Sequence, residues 1–141
     1  MDLVVQHKKL IKQILGKDIV KTNEFFGNFY VYIRPQNILR TISVLKSNSE
    51  LAFASLVDCF AAPNEKNNKF FTIYYQLLSF KLNTRVFVAT DLPNGDNIQS
   101  LTILFENANW FEREIFDMHK ISFKDHPNMR EIFCCEILFK I

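Results

Sequence analysis

Two glutamates between residues 110 and 118 are the side chains best suited to acid–base chemistry. Glu112 and Glu114 lie on either side of Arg113, and paired carboxylates can exchange protons with a substrate when both face it. Residues two apart on a helix point about 200° apart around its axis, so these two cannot flank one substrate. No serine or cysteine lies in a nucleophile motif. We therefore expect no catalytic residue in this chain.

Metal and redox chemistry would require histidines or cysteines at short, regular spacings. The chain has three of each, namely His7, His119, His126, Cys59, Cys134 and Cys135. No two histidines are four residues apart and no C-x-x-C pair occurs, so a zinc site is not predicted. An iron–sulfur cluster normally takes four thiolates, which this chain cannot supply unaided. We expect no bound metal or redox cofactor, and reduced thiols.

Nucleotide and nucleic-acid binding are also disfavoured. Only three glycines occur, far apart, so no Gly-rich loop can hold a phosphate. Tyrosines that could stack on bases are Tyr30, Tyr32, Tyr74 and Tyr75. The formal net charge is only +2, which is small for a protein that binds a polyanion. We interpret these tyrosines as sheet residues at a core or an interface.

The bulk composition is that of one globular domain. The chain has 141 residues, of which 48% are hydrophobic and 23% charged. Apolar stretches such as Leu51–Phe60 fall short of the roughly 18 residues that span a bilayer, so any membrane link is expected to come through partners. The segment Met1–Leu15 is basic but lacks arginine, and we keep it in the mature fold. The prediction is a single domain over residues 1–141.

Periodicity in the first half of the chain predicts helices and strands in turn. Apolar residues at helical spacing predict an amphipathic helix that Gly16 ends. The alternation from Phe29 to Arg34 predicts a strand paired with Ile19–Phe25 across a turn at Gly27-Asn28. A second helix follows Pro35, with the apolar stripe Ile38, Leu39, Ile42 and Leu45.

Three further strands and a loop follow. The strands are predicted at Leu51–Ala61, Phe70–Phe80 and Arg85–Thr90, in antiparallel pairs. The run Asp91–Asn97 contains proline, glycine and asparagine and is predicted to be a loop. The expected fold class is α+β: a mainly antiparallel mixed sheet of about five strands, helices packed on one face, and a C-terminal helix and turn segment.

The predicted C-terminal segment starts with a helix after Asn109. Asn109 and Glu112 have the spacing of a capping box, and Arg113 can reach Asp117 one turn later. The helix residues expected on its inner face are Phe111, Ile115 and Met118. A strand is predicted around Ile121–Phe123. His126-Pro127 then ends regular structure before a second short helix, from which Met129, Ile132 and Phe133 would pack inward.

These residues carry a resemblance to a known family. Asn109-Trp110-Phe111-Glu112-Arg113-Glu114, Asp117-Met118, Ile121, Phe123, His126-Pro127-Asn128-Met129-Arg130 and Ile132 resemble the signature of the thirty-kilodalton subunit of respiratory complex I. Val57-Asp58, Tyr74–Ser79 and Asn83 with Arg85 are similar to strands of this family. The resemblance covers roughly residues 50–133, and the signature itself spans 109–132.

The resemblance implies a non-catalytic structural subunit of the quinone module in the peripheral arm of proton-pumping NADH:ubiquinone oxidoreductase. The alternative is the equivalent subunit of a related membrane-bound hydrogenase or other quinone oxidoreductase. FMN, iron–sulfur clusters and ubiquinone are then expected in partner subunits, which include the large quinone-module subunit and neighbouring iron–sulfur subunits. The implied location is the matrix side of the mitochondrial inner membrane, or else the cytoplasmic face of a bacterial membrane.

The resemblance also assigns a role to the signature residues. Trp110, Glu112, Arg113, Glu114, Asp117, His126, Pro127 and Arg130 would form contacts between subunits. The charged members would make a paired network, while Trp110 and His126-Pro127 would serve packing and turn formation.

The chain departs from the family pattern at two places. His119-Lys120 stands where most relatives have an aromatic or small residue followed by glycine, so a shifted turn is expected. The usual C-terminal extension is replaced by a short apolar end containing Cys134-Cys135, which a neighbouring subunit is expected to cover. Fifteen phenylalanines and three glycines suggest an AT-rich coding sequence, as in many organellar genomes. Together with the resemblance, this implies a mitochondrially encoded, C-terminally short member of the family.

Overall fold

The structure is a computed structural model that describes residues 3–64 and 66–127. The helices are α1 (Leu3–Leu15), α2 (Ile38–Ser47) and α3 (Ala108–His119), with short 3-10 turns at Gly16–Asp18 and Pro35–Asn37. The strands are β1 (Ile19–Phe25), β2 (Asn28–Ile33), β3 (Ser55–Pro63), β4 (Phe70–Ser79), β5 (Thr84–Pro93), β6 (Ile98–Gln99) and β7 (Phe123–Lys124). The predicted inner Met129, Ile132 and Phe133, Arg130 and the pair Cys134-Cys135 lie outside the described residues.

Five strands form one sheet in the order β1-β2-β5-β4-β3. Neighbouring strands are antiparallel except β2 and β5, which pair in parallel. The segment containing α2, β3 and β4 supplies the long connection that a parallel pair requires. The short strands β6 and β7 make a separate parallel pair. The predicted α+β class, with a mixed and mainly antiparallel sheet of five strands, is confirmed.

The core lies between one face of the sheet and the helices. Alternate residues of β2 are buried, as the alternation predicted: Phe29, Val31 and Ile33. The apolar stripes of the first two helices join the same cluster, with Ile11 and Leu15 from α1 and Ile38, Ile42 and Leu45 from α2. The periodicities of the sequence therefore identified the inner face correctly. Within the described residues, no helix is long and apolar enough to cross a membrane.

Three predicted boundaries are wrong. Residues 51–54 are not strand: the Asn48 side chain accepts the backbone N–H groups of Glu50 and Leu51, which forms a turn. The predicted loop at Asp91–Asn97 begins later, because Asp91, Leu92 and Pro93 pair with β4. Long-range strand pairing overrides local turn preference here. The hairpin turn lies at Phe26-Gly27, one residue before the predicted position.

Lys120 ends α3 in the left-handed conformation. Its φ is +59°, and its backbone N–H donates to the Phe116 carbonyl oxygen at 2.8 Å. The expected shift of this turn away from its family position is therefore wrong, because a lysine adopts the geometry that glycine adopts without strain.

Replacing Lys120 tests how much that geometry costs. We expect Lys120→Gly to be more stable than Lys120→Ala by about 1 kcal/mol, since only the alanine keeps a Cβ at positive φ. Both variants lose the same side-chain contacts, so their difference isolates the backbone. Urea unfolding of the purified chains measures it, and equal midpoints would contradict a positive φ at this position.

Candidate functional site

Helix α3 is positioned on the edge strand β3 by its first residues. The Asn107 side chain donates from Nδ2 to the Leu56 carbonyl oxygen at 2.8 Å, and Ala108 is buried against the core. The helix begins at Ala108, so Asn109 already lies inside it. The predicted capping box is wrong, because Glu112 makes its hydrogen bonds elsewhere.

Glu112 points inward and is completely buried. Its Oε1 accepts from the Ser100 hydroxyl at 2.6 Å, and its Oε2 accepts from the Leu101 backbone N–H at 2.7 Å. These bonds connect α3 to the turn that follows β6. Glu112 therefore acts as a structural anchor.

His126 lies beside this anchor. Its Nε2 is 3.1 Å from the Asn109 carbonyl oxygen and 3.9 Å from Oε1 of Glu112. Burial lowers the pKa of His126, and the nearby positive charge of Arg113 lowers it further, against the hydrogen bond with Asn109. The imidazole thus connects the segment before Pro127 to α3.

Burial raises the pKa of Glu112 to about 7, although hydrogen bonds from Leu101 and Ser100 oppose the shift. Burial also raises the pKa values of Cys59 and Tyr75, and the charge of Glu112 raises both pKa values by a smaller amount. All three groups are therefore held mainly in their neutral forms below pH 7.

This shift predicts a pH dependence of stability. A carboxyl whose pKa rises from 4.5 to about 7 on folding binds its proton more tightly in the folded chain. The carboxyl thereby adds about 3 kcal/mol to the free energy of unfolding. This stabilisation is fully present below pH 4.5 and is lost as the pH rises through 7. Urea unfolding from pH 5 to 8 measures the difference in unfolding free energy between wild type and Glu112→Gln. Because both chains keep His126, whose effect has the opposite sign, the difference isolates the contribution of Glu112. Parallel curves would contradict the raised pKa.

The outer face of α3 carries four signature residues: Trp110, Arg113, Glu114 and Asp117. Trp110 is 51% exposed, and the other three are partly exposed. The Arg113 guanidinium lies 6.0 Å from the centre of the Trp110 ring. Among the described residues Arg113 makes no ion pair with Asp117, and its buried Nε has no hydrogen-bond partner. The described part of the chain therefore does not contain the ion pair between Arg113 and Asp117 that the predicted charge network requires.

The structure thus divides the predicted site residues between two faces. Glu112 and His126 meet on the inner side, the four residues of the outer face point away, Pro127 is exposed, and Arg130 lies outside the described range. Met118 is 73% exposed, so its predicted burial is wrong. The buried stripe instead follows Ala108, Glu112 and Ile115, with a glutamate where an apolar residue was expected.

Sequence reasoning missed the groups that hold Glu112. Ser100 and Leu101 lie eleven to twelve residues before it, and neither belongs to a recognisable motif with it. Asn107, which tethers the helix to β3, was also missed. No group of three metal-ligating side chains occurs in the described ranges.

Comparisons with known proteins place these features in a family. A family model described as "Respiratory-chain NADH dehydrogenase, 30 Kd subunit" matches residues 31–138. The chain is 36% identical over 107 residues to a subunit of the NADH-quinone oxidoreductase of Ruegeria pomeroyi, covering 76% of this chain and 54% of that protein. It is 34% identical over 106 residues to NADH-ubiquinone oxidoreductase subunit 9 of Reclinomonas americana, covering 75% and 52%.

A fungal relative extends the sequence match, and a solved structure shares the fold. The chain is 37% identical over 122 residues to the mitochondrial NADH dehydrogenase [ubiquinone] iron-sulfur protein 3 of Candida albicans, covering 86% of this chain and 44% of that protein. The chain spans about half the length of these curated relatives. Its fold resembles a chain of an archaeal membrane-bound sulfane sulfur reductase, with a TM-score of 0.75 at 18% identity, covering 92% and 76%. The chain belongs to the family of the 30 kDa subunit of respiratory-chain NADH dehydrogenase.

Proposed function

We propose that this chain is a non-catalytic structural subunit of the quinone module of proton-pumping NADH:ubiquinone oxidoreductase, and that the outer face of α3 is its docking surface. The division of the signature carries the proposal: Glu112 fixes the helix from within, while Trp110, Arg113, Glu114 and Asp117 face outward. A helix anchored in this way presents a rigid, pre-positioned surface to a partner.

The chemistry of this surface supports docking rather than catalysis. Tryptophan and arginine are the residues most enriched at the energetic centres of protein interfaces. Trp110 is half exposed, and the Arg113 Nε is shielded from water without an acceptor among the described residues. A partner that covers Trp110 and brings a carboxylate to the partly exposed Arg113 would use both side chains.

Family membership supports a proposal about the partners and cofactors. The proposed partners are the large quinone-module subunit and the neighbouring iron–sulfur subunits, which together with the rest of the complex would hold FMN, the iron–sulfur clusters and ubiquinone. The chain itself would hold none of these and would meet the membrane only through the complex. Its proposed place is the matrix side of the mitochondrial inner membrane, or the cytoplasmic face in a bacterium.

A second candidate is the equivalent subunit of a related membrane-bound hydrogenase or other quinone oxidoreductase. The fold likeness to a chain of the archaeal sulfane sulfur reductase motivates it. Both candidates give the chain the same structural role, and they differ in the reaction of the assembled complex.

Purification of the complex through a tag on this chain separates the candidates. We expect the tagged chain to co-purify with the large quinone-module subunit, identified by mass spectrometry, and with NADH:quinone activity. Co-purification with a complex that oxidises a different donor would favour the second candidate. Recovery of the chain alone, under conditions that keep the complex intact, would contradict both.

A further inference from the structure

The sheet has a second face, turned away from the helices, that forms an aromatic basin. The basin has a volume of about 630 Å³, and its ring residues are Phe25, Tyr30, Tyr32, Phe60 and Tyr74. Rings from β2, β3 and β4 contact one another, with centroids 6.1 Å apart for Tyr30 and Tyr74 and 5.1 Å apart for Phe60 and Tyr74. Such rings present rigid contact area to a partner, since few torsions must be ordered when they bind.

The charges of the basin favour an anionic partner. Asp91 accepts hydrogen bonds at Oδ1 from Thr72 at 2.7 Å and from Asn64 at 3.1 Å, so this carboxylate is engaged within the chain. Among the described residues lining the basin, the cations are Lys21 and Lys66. Both are exposed, and Nζ of Lys21 lies 4.5 Å from the centre of the Tyr32 ring. The lining of the basin is thus partly aromatic and partly polar, and the two lysines form its cationic rim.

The adjoining β1–β2 hairpin adds an independent observation. Phe25, which also lines the basin, pairs with Asn28 across the two-residue turn Phe26-Gly27, where φ is +52° and +80°. Such turns favour Asn-Gly, because positive φ is unfavourable for a bulky residue. Phe26 is nevertheless 92% exposed. This phenylalanine adds little burial to the fold at a backbone position that disfavours it, as expected of a side chain that binds elsewhere.

We propose that the aromatic basin and the hairpin tip dock a polypeptide segment of a neighbouring subunit in which carboxylates flank an apolar side chain. The apolar side chain enters the basin, the carboxylates pair with Lys21 and Lys66, and Phe26 packs into the partner. The surface is separate from the outer face of α3, and it rests on the proposed function only in taking the partner to be a subunit of the same complex. Two rim lysines beside Asp91 are too few for a nucleic-acid track, which favours a protein.

Photo-crosslinking in the assembled complex tests the proposal. The photoreactive residue p-benzoylphenylalanine replaces Tyr30 in one full-length chain and Trp110 in another, and crosslinked peptides are identified by mass spectrometry. We expect the Tyr30 probe to capture one partner peptide with acidic residues on both sides of an apolar residue. Capture of only lipid, RNA or solvent at Tyr30, while the Trp110 probe captures a subunit, would overturn this proposal and leave the proposed function standing. If the Tyr30 probe captured a subunit and the Trp110 probe did not, this proposal would stand and the docking role of the outer face of α3 would be overturned.

Charge reversal tests the rim. The double variant Lys21→Glu, Lys66→Glu should reduce the complex recovered through the tagged chain about tenfold, whereas Lys9→Glu, at an exposed lysine of α1, should not. Replacing the captured partner carboxylates with lysine should restore recovery. Equal recovery of the double variant and Lys9→Glu would overturn the proposal.

Phe26→Asn separates docking from folding. Because asparagine suits this turn, the full chain should melt about 3 °C higher, while recovery of the complex falls several-fold. A more stable chain that assembles at the wild-type level would overturn the role of the hairpin tip.

Discussion

Glu112→Ala is expected to lower the free energy of unfolding by about 3 kcal/mol near pH 6. The substitution leaves the Ser100 hydroxyl and the Leu101 backbone N–H buried without their acceptor and opens a cavity beneath α3. Glu112 is also the one carboxylate among the buried residues that the structure describes, so no other buried carboxylate there can take its place. Urea unfolding of the purified chain measures the loss.

Glu112→Gln is the matched control. Its amide can accept from Leu101 and donate to Ser100, so both partners stay satisfied and the loss should be under about 1 kcal/mol at pH 6. The cost of Glu112→Ala should also be smaller at pH 8 than at pH 6, because the wild-type carboxylate is then ionised in a buried position. Equal losses for Ala and Gln would contradict the anchoring role and point to a general intolerance of the site.

Arg113→Ala and Trp110→Ala are expected to deplete the assembled complex without unfolding the chain. An interface arginine paired with a partner carboxylate contributes about 2 to 4 kcal/mol, so recovery of the complex should fall at least tenfold. The free chain should lose under about 1 kcal/mol, because Trp110 is half exposed and Arg113 has no ion pair with Asp117 among the described residues.

Phe80→Ala is the control for these variants. Phe80 is 75% exposed in the turn after β4 and is not part of the signature on α3, so its loss removes a comparable aromatic surface outside the proposed interface. Assembly should then stay at the wild-type level. Equal depletion by Phe80→Ala would show that any exposed aromatic matters, and would remove the argument for the outer face of α3.

The sequence was most informative where contacts are local. The stripes of α1 and α2 and the alternation of β2 depend on residues two to four apart, and the structure confirms all three. The extension of β5 through Asp91–Pro93 depends on pairing with β4 some twenty residues earlier, so local turn preference gave the wrong boundary. The parallel pairing of β2 and β5 is equally non-local.

The candidate site shows the same limit. The signature identified the family, but it did not tell which of its charged residues face inward. The local sequence predicts that Glu112 is a surface residue of a capping box. Its actual contacts are with Ser100 and Leu101, and no local spacing predicts them. Once Glu112 is assigned to the interior, the remaining signature residues of α3 define one outer face.

The turnover of NADH:quinone oxidation per assembled complex, measured for Arg113→Ala against wild type, tests the central claim most directly. If the outer face of α3 serves assembly alone, the amount of complex falls while the complexes that do form react at the wild-type rate. Normal amounts of complex with lost turnover would contradict the account and assign Arg113 a part in the reaction.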